Sequence, residues 1–340
     1  MTGTLSANRP SLSRRAVLGG AAGLLLAQAT ASPALAQFEP LPSWSENTRA
    51  RITAFVARVT TPGVADFVPP AERIAVFDND GTLWSEQPIY AQLAFALDQI
   101  KSLAARDPAL AGVEPFASVL SGDPTRIAAF SEKDLFQIVA RSHAGQTSAA
   151  FEAEVKAWLA TARHPRFGRR YDELVFQPML ELLAYLRGNG FKTYIVSGGG
   201  VEFMRAWAEQ AYGIPPEQIV GSSLKSVFRL DGDSAQIDKL PEVEFIDDGP
   251  GKPVAIQRFI GRRPIFAAGN SDGDLEMLQF TTLAPGARFG LIVRHTDAER
   301  EWAYDRTSPV GRLDRALDEA GRRDWLVVDM KRDWTRIYSF

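Results

Sequence analysis

Two aspartates, Asp78 and Asp80, are spaced so that both carboxylates can act on one substrate atom. They lie two positions apart, directly after an apolar run at residues 74–77. Side chains at i and i+2 of a strand point to the same side, and the carboxyl ends of parallel strands form the ligand crevice of an α/β sheet. We therefore expect one carboxylate to attack and the other to transfer protons. Taken alone, residues 78–81 are also compatible with a turn or a calcium loop.

A second segment combines a hydroxyl group with glycines. Residues 191–196 read as a strand, Ser197 and three glycines at 198–200 follow, and residues 201–210 read as a helix. Glycine lets the backbone approach an anion closely, and the free amides at the start of a helix complement negative charge. The segment therefore predicts a phosphate site at Ser197 and Gly198, although a strand followed by a glycine-rich turn is a common pattern.

Two further segments, 247–253 and 264–274, complete an ordered pattern that resembles the haloacid dehalogenase superfamily. Residues 78–82 match its first motif, D-x-D-G-T at the end of the first strand. The order of a Ser-Gly-Gly turn, a helix and residues 212–221 is similar to the phosphoserine-phosphatase-like branch. The resemblance extends over roughly residues 72–280 and implies a Rossmann-like, doubly wound parallel α/β sheet.

The resemblance assigns roles to the residues that match its motifs. Asp78 is then the nucleophile that becomes an aspartyl-phosphate, and Asp80 is the general acid and base. Lys252 corresponds to the lysine of the third motif, where an ammonium acts as a point charge on the nucleophile and the phosphate. Lys239 and Lys225 are its competitors, but both lie in a polar, hairpin-like stretch.

The fourth segment departs from the superfamily pattern at the metal site. The usual pattern is G-D-x-x-x-D, whereas this chain has Asn270 at the first position and Asp274 at the second, with Asp272 between them. The resemblance implies a Mg²⁺ cofactor held by Asp78, Asp80, Asn270 and Asp274, since Mg²⁺ takes oxygen ligands and often only one or two carboxylates. An amide brings no negative charge, so either the metal affinity is lower or Asp272 or Asp274 takes over as the ligand.

The segment between the first two motifs, residues 83–172, reads mostly as helix. Apolar residues recur at helical spacing in 147–162, and strand patterns are nearly absent. An all-helical insertion here resembles the superfamily's cap, which closes over the site and selects the substrate. We therefore predict a helical cap at 83–172 and an α/β core formed by 37–82 and 173–340. Later or edge strands are expected at 289–293 and 326–328.

The function implied is Mg²⁺-dependent hydrolysis of a small phosphomonoester through an aspartyl-phosphate. Ser197 and Gly198 would hold phosphoryl oxygens, and Thr82 is a further contact to the phosphate. A phosphotransferase of the same superfamily would share every catalytic residue. A dehalogenase would not need the second acid at Asp80 or the metal cluster at Asp274. From another class, a non-catalytic phosphoester-binding protein that lost its metal is the alternative.

The first 36 residues read as an export signal. Arg14 and Arg15 precede an apolar stretch, and residues 34–36 form a small-x-small cleavage pattern before Gln37. Residues 13–18 resemble the twin-arginine signal of bacteria. We therefore predict a periplasmic protein with no stable membrane anchor after cleavage, and an uncleaved anchor is the alternative.

The composition of the chain argues against several classes of partner and of structural site. The chain has 340 residues, of which 45% are hydrophobic and 23% charged, which is enough to bury a large core. A net charge of −3 and the lack of a basic tract argue against a nucleic-acid partner. There is no cysteine, which excludes disulfides, and the three histidines lie in unrelated contexts, so a zinc site is not expected. The oligomeric state stays open.

Overall fold

The computed structural model describes residues 40–143 and 145–340, apart from the side chains of residues 124, 128, 132 and 136. The predicted export signal, residues 1–36, lies outside this part of the chain. The strands are β1 (Ile74–Phe77), β2 (Lys192–Gly200), β3 (Ile219–Asp231), β4 (Ser234–Phe245), β5 (Phe266–Gly269), β6 (Phe289–Arg294) and β7 (Leu326–Asp329).

These strands form one sheet in the order β4-β3-β2-β1-β5-β6-β7. The pairs from β3 through β7 are all parallel, and β4 pairs antiparallel with the far part of β3. The two central strands, β1 and β5, are buried along their whole length, which explains their uninterrupted apolar sequences. The predicted α/β class with a mostly parallel sheet is confirmed, and so are the strands expected near 289–293 and 326–328.

Helices cover both faces of the sheet. Alternate residues of β1 enter two separate apolar clusters. Ala75 and Phe77 pack with the helices at residues 46–60 and 177–188, whereas Ile74 and Val76 pack with those at 251–255, 275–282 and 315–323. This is the layering of a doubly wound sheet. The helices are α1 (Glu46–Thr60), α2 (Ala91–Ala104), α3 (Phe116–Ser121), α4 (Pro124–Ala128), α5 (Glu132–His143), α6 (Ser148–Thr161), α7 (Gln177–Gly188), α8 (Val201–Arg205), α9 (Ala208–Tyr212), α10 (Gly251–Ala255), α11 (Leu275–Thr282), α12 (Arg315–Arg323) and α13 (Met330–Asp333).

The segment predicted as a cap contains α2 to α6 and, in its described residues, no strand. Part of it has a core of its own, in which Ile100 of α2, Val119 of α3 and Ile138 of α5 pack together. Phe95 and Phe151 belong instead to the large cluster beneath the sheet. The segment is therefore helical as expected, while its boundaries and its role as a cap stay predictions.

A long antiparallel ribbon of β3 and β4 extends past the parallel part of the sheet. It contacts the helical segment, because the amide of Lys239 donates to the carbonyl of Gln146 at 3.2 Å and the amide of Gly145 donates to the carbonyl of Lys239 at 3.2 Å. The ribbon and the helical segment therefore meet beside the carboxyl ends of the strands. In the range that the structure describes, every helix is too short or too polar to cross a bilayer.

Candidate active site

The predicted catalytic residues converge at the carboxyl ends of β1, β2 and β5. Asp78 follows β1, Ser197 lies in β2 and Asn270 follows β5. The amide of Asp78 donates to the carbonyl of Ala268 at 2.9 Å, which continues the strand pairing up to Asp78. A cavity of about 280 Å³ opens at this edge, and its lining includes Asp78, Asp80, Glu86, Ser197, Gly198 and Lys252. We call it the inner cavity.

Lys252 lies between two aspartates in a buried ion cluster. Its Nζ donates to Asp78 Oδ1 at 2.7 Å and to Asp274 Oδ1 at 2.5 Å, and 1% of the lysine is exposed. The other oxygen of Asp274 accepts hydrogen bonds from the amides of Asn270 at 2.9 Å and Ser271 at 3.0 Å. Asp274 therefore has both oxygens occupied, and it holds the lysine against Asp78.

The ionisation of this cluster reflects burial and neighbouring charge. Burial raises the pKa of Asp78 well above its usual range, repulsion from Asp274 adds to this, and attraction to Lys252 opposes it. Burial alone would lower the pKa of Lys252, but the two carboxylates outweigh it and raise that pKa. The lysine therefore stays charged, and it is the local group that favours the ionised form of Asp78.

Asp80 is held beside Asp78 by a tight loop. Its Oδ1 accepts a hydrogen bond from Trp84 Nε1 at 2.8 Å, and the amide of Gly81 donates to the carbonyl of Trp84 at 2.9 Å. Gly81 has a φ of +71°, and a Cβ there would lie 2.1 Å from Asn270 Nδ2, so glycine is required. Loss of hydration raises the pKa of Asp80 to about 6, which suits a group that first donates a proton and then accepts one.

Ser197 and Gly198 both line the inner cavity. The Ser197 hydroxyl oxygen accepts a hydrogen bond from the amide of Gly199 at 3.2 Å, and its hydrogen is free to point into the cavity. The glycines continue β2 instead of forming a separate turn, with a register shift between Ser197 and Gly200. The amide of Gly200 is already used, because it donates to Gln92 Oε1 at 2.7 Å. Anion binding here therefore depends on Ser197 and Gly198 more than on the last glycine.

Thr82 does not line the cavity. It is fully buried, and its hydroxyl donates to Asn270 Oδ1 at 3.0 Å. Its predicted contact with the phosphate stays a prediction without support from this position. The geometry instead shows Thr82 orienting the amide of Asn270.

Asp272 is also turned away from the site. Its Oδ1 accepts hydrogen bonds from the amides of Asp314 and Ala316, both at 2.9 Å, at the start of α12. These contacts satisfy helix-terminal amides that would otherwise be unpaired. Asp272 and Asp274 are the alternatives to Asn270 as the metal ligand. Asp272 has a structural role, and both oxygens of Asp274 already accept hydrogen bonds, from Lys252 and from the backbone.

Glu86 has no role in the sequence analysis, yet it is buried beside Asn270. Its Oε1 accepts hydrogen bonds from Asn270 Nδ2 and from the Tyr304 hydroxyl, both at 2.7 Å, and 2% of the residue is exposed. Burial raises the pKa of Glu86 to about 7, against the attraction of His295. The loop after β1 therefore supplies a carboxyl group that accepts a hydrogen bond from the side-chain amide of Asn270.

His295 stabilises the loop that contains Asp80 and Gly81. Its Nε2 donates to the carbonyl of Gly81 at 2.8 Å, and its Nδ1 lies 2.9 Å from Glu301 Oε2. Tyr304 stacks on the imidazole with ring centroids 4.4 Å apart. Burial alone would lower the pKa of His295, but the Glu301 carboxylate outweighs it and raises that pKa.

The charges of the site fit a divalent cation. Asp78, Asp80 and Glu86 line the inner cavity, and among its described lining residues Lys252 is the one cation. Within residues 40–143 and 145–340 no group of three or more histidines or acids has a metal-binding arrangement. Mg²⁺ commonly needs only one or two carboxylates, with water and phosphate as its other ligands. Asp78 and Asp80 line the cavity and fit such an ion. Asn270 is outside the described lining and its Oδ1 accepts from Thr82, so its amide oxygen would have to turn toward the cavity to join them, while Asp274 supports Lys252.

Comparison with known proteins places this site in a family. The family model of haloacid dehalogenase-like hydrolases matches residues 75–279, and none of the curated proteins matches the chain. Among solved structures, a protein of unknown function from Bordetella pertussis Tohama I is 14% identical, over 76% of this chain and 99% of that one, with a TM-score of 0.49. A functionally unknown protein from Anaerococcus prevotii DSM 20548 is 16% identical, over 75% and 87%, with a TM-score of 0.49.

A phosphoserine phosphohydrolase-like protein from Francisella tularensis subsp. tularensis SCHU S4 is 19% identical, over 65% of this chain and 87% of that one, with a TM-score of 0.35. These structural similarities are too distant to indicate an activity. The family model, in contrast, covers more than half of the chain and includes all four motifs. The prediction of a hydrolase is confirmed: the chain belongs to the haloacid dehalogenase-like hydrolase family.

Proposed function

We propose that the protein is a Mg²⁺-dependent phosphomonoester hydrolase of the phosphoserine-phosphatase-like branch, working through an aspartyl-phosphate. One observation carries the proposal: Asp78 and Asp80 line one cavity with Ser197 and Gly198, and Lys252 Nζ lies 2.7 Å from Asp78 Oδ1. A carboxylate nucleophile, a second acid, a phosphate cradle and a fixed positive charge are the parts that phosphoryl transfer through a covalent intermediate requires.

The reaction runs in two displacements on phosphorus. A carboxylate oxygen of Asp78 attacks the phosphorus in line, the bond to the alcohol oxygen breaks, and Asp80 gives its proton to that oxygen. Water then attacks the phosphorus of the aspartyl-phosphate, Asp80 takes the proton of the water, and the Asp78 carboxylate leaves. A pKa of about 6 for Asp80 supports both directions of proton transfer near neutral pH.

The fixed charges favour the transition state of each displacement. Lys252 is pre-oriented by Asp274, so it needs no reorganisation when negative charge moves onto the phosphoryl oxygens. The Ser197 hydroxyl and the Gly198 amide would bind two of those oxygens. A Mg²⁺ held by Asp78, Asp80 and Asn270 would supply further neutralisation of the phosphoryl charge.

Two alternative functions differ from this proposal. One has another acceptor for the phosphoryl group, and the other has no catalytic activity. A phosphotransferase of the same family would use every residue named here and pass the phosphoryl group to an alcohol instead of water. A non-catalytic phosphoester-binding protein would need a site that has lost its metal through Asn270. Glu86 argues against this loss, because its carboxyl group accepts a hydrogen bond from the Asn270 amide, lines the inner cavity and, with a pKa of about 7, supplies negative charge there as it ionises.

Hydrolysis of p-nitrophenyl phosphate tests the proposal directly. We expect turnover in Mg²⁺, its loss in excess EDTA, and its return when Mg²⁺ is restored. Asp78→Asn keeps the shape of the side chain but removes the attacking charge, so turnover should fall by several orders of magnitude, as for other catalytic nucleophiles. The circular dichroism spectrum should stay unchanged. Turnover of the Asp78→Asn protein close to the wild-type value would contradict the assignment of the nucleophile.

The site of action is also proposed from the sequence. The leader at residues 1–36 supports export through a twin-arginine pathway, so the substrate would be a small phosphomonoester in a bacterial periplasm. Release of inorganic phosphate and transfer to added alcohols, measured on the mature protein in one assay, separate hydrolysis from phosphotransfer. Transfer that exceeds hydrolysis at low alcohol concentration would favour the transferase.

A further inference from the structure

A second cavity of about 480 Å³ continues outward from the inner cavity. The two share part of their walls, including Tyr90, Val139 and Asp248. Since the inner cavity holds the nucleophile, the alcohol part of a phosphomonoester would extend into this second space. We call it the outer cavity.

The walls of the outer cavity are largely apolar. Leu135 and Val139 come from α5, Leu224 and Val243 come from the ribbon of β3 and β4, and Ile246 follows the ribbon. Val243 is 39% exposed and Ile246 is 45% exposed, so these side chains are not buried in the protein core. Apolar side chains that face a catalytic cavity favour an alcohol with an apolar body.

The charged residues of the outer cavity are acids. Its described lining contains Glu202 and Asp248 and neither lysine nor arginine. Glu202 is neutralised by an ion pair with the buried Lys239. His143 also lines the cavity, and burial lowers its pKa to about 3, so the imidazole is uncharged near neutral pH.

Asp248 is therefore the uncompensated charge of this space. It is exposed, and no described residue forms an ion pair or a side-chain hydrogen bond with its carboxylate. It lies where the two cavities meet, since a Cβ built on Gly198 would be 3.6 Å from Asp248 Oδ1. A negative group on the alcohol would be repelled at this point, and a positive group would be attracted.

We propose, on the basis of the proposed function, that the outer cavity selects phosphomonoesters whose alcohol is apolar in body and carries no negative charge, with a cationic group preferred beside Asp248. Esters with a carboxylate or a second phosphate on the alcohol are then poor substrates, including phosphoserine. The lack of arginine and lysine in the described lining distinguishes this cavity from one that receives an anionic alcohol.

Three aryl esters of matched shape test the charge preference. 4-Ethylphenyl phosphate, 4-(aminomethyl)phenyl phosphate and 4-(carboxymethyl)phenyl phosphate share one ring and differ mainly in the charge of the substituent. We expect kcat/KM to fall from the cationic to the neutral to the anionic ester, by about five- to tenfold at each step, as for a charge pair close to solvent. The differences should shrink as the ionic strength rises.

Substitutions of Asp248 test whether this residue causes the charge preference. Asp248→Asn should bring the cationic and neutral esters to similar kcat/KM, and Asp248→Lys should reverse the order of the three. The matched control is Asp233→Lys, at another exposed aspartate, which lies in the turn between β3 and β4 and outside both cavity linings. This control should leave the order unchanged.

The outcomes separate the two proposals. Equal kcat/KM for the three esters, or an anionic ester preferred by the wild-type protein, overturns the charge selection while leaving the phosphatase proposal intact. A preference that survives in Asp248→Lys overturns the role of that residue. If none of the three esters and no p-nitrophenyl phosphate is hydrolysed in Mg²⁺, the proposed function fails, and the selection that rests on it fails too.

Discussion

Asn270 is the residue at which the chain departs from its family's pattern, and its buried neighbour shows how the departure is accommodated. Asn270 Nδ2 donates to Glu86 Oε1 at 2.7 Å, and both residues are at most 2% exposed. A carboxylate at both positions would place two like charges within hydrogen-bonding distance in a desolvated site. Glu86 and an amide at 270 are thus a matched pair.

The matched pair gives a prediction for Asn270→Asp. The new carboxylate should lower the melting temperature in EDTA because it repels Glu86, and Mg²⁺ should raise that temperature by more than in the wild-type protein, since a cation bound to the native state stabilises it. Thermal unfolding over a Mg²⁺ titration measures both effects. The double variant Glu86→Gln/Asn270→Asp is the control and should recover stability in EDTA. An identical response to Mg²⁺ in the wild type and in Asn270→Asp would mean that residue 270 does not bind the metal.

Asp247 carries a buried carboxyl group. The residue is fully buried, and burial raises its pKa from 3.8 to about 7 against the attraction of Lys252 and the backbone of Ser197. The folded state therefore binds this proton more tightly than the unfolded state does. Its contribution to stability is complete below about pH 4 and is lost as the pH rises through 7.

The expected consequence is that Asp247→Asn flattens the pH dependence of stability. Between pH 5 and pH 8 the wild-type protein should lose more unfolding free energy than the variant, because it must also ionise the buried Asp247 carboxyl group. Urea unfolding at four or five pH values gives the comparison. Asp233→Asn, at an exposed aspartate in the turn between β3 and β4, is the control and should follow the wild-type profile. Parallel curves for the wild type and Asp247→Asn would contradict the effect.

Local motifs make only part of the site predictable from the sequence. Asp78 and Asp80 follow β1 and Ser197 lies in β2, each inside a short pattern, and the structure brings all three to one cavity. Glu86 and Tyr304 meet across 218 positions of the chain, and no spacing rule connects residues so far apart. Their roles depend on the fold, so they are visible only once the strands and loops are placed.

At the scale of elements, the loop after β5 couples the site to α12. Asp272 Oδ1 accepts hydrogen bonds from the amides of Asp314 and Ala316, and the amide of Asp272 donates to the carbonyl of Arg312 at 2.7 Å. One residue away, Ser271 borders the inner cavity. The loop that carries Asn270 is therefore fixed by a helix start on its outer side.

Asp272→Ala should thus affect stability more than catalysis. Loss of both hydrogen bonds to the start of α12 is expected to lower the unfolding free energy by about 1–2 kcal/mol, the usual effect of losing a helix cap. Asp272→Asn keeps an acceptor oxygen and should lose less. The half-saturation of turnover by Mg²⁺ should stay unchanged in both variants. A large rise in that value for Asp272→Ala, with none for Asn270→Asp, would identify Asp272 as the ligand.

The elements themselves differ in how far the sequence predicts them. β1 and β5 are short apolar runs between polar turns, and the helical character of residues 83–172 follows from apolar spacing. The glycines after Ser197 are instead part of β2, because Gly200 pairs with Ser222 of β3. A glycine run leaves the backbone free to pair or to turn, so only the neighbouring strand decides between them.

At the scale of the whole molecule, the described chain is anchored from its first residues. Ser43 donates two hydrogen bonds to Glu181 of α7, at 2.9 Å from its amide and 2.6 Å from its hydroxyl. Trp44 Nε1 donates to the carbonyl of Pro178 at 2.9 Å, and Leu41 is buried in the main core cluster. These contacts all lie after the predicted cleavage site at Ala36, so the mature chain would keep them.

Removal of residues 1–36 would leave these contacts intact, which is compatible with export of the protein in a folded state. Replacing Arg14 and Arg15 together by lysine keeps the charge of the leader but should stop twin-arginine transport, leaving precursor in the cytoplasm. Arg9→Lys, outside the pair, is the control and should not change export. Cell fractionation and the mass of the periplasmic protein, which should begin at Gln37, provide the measurement. If the doubly substituted protein still appears outside the inner membrane in mature form, the leader is a general secretory signal instead.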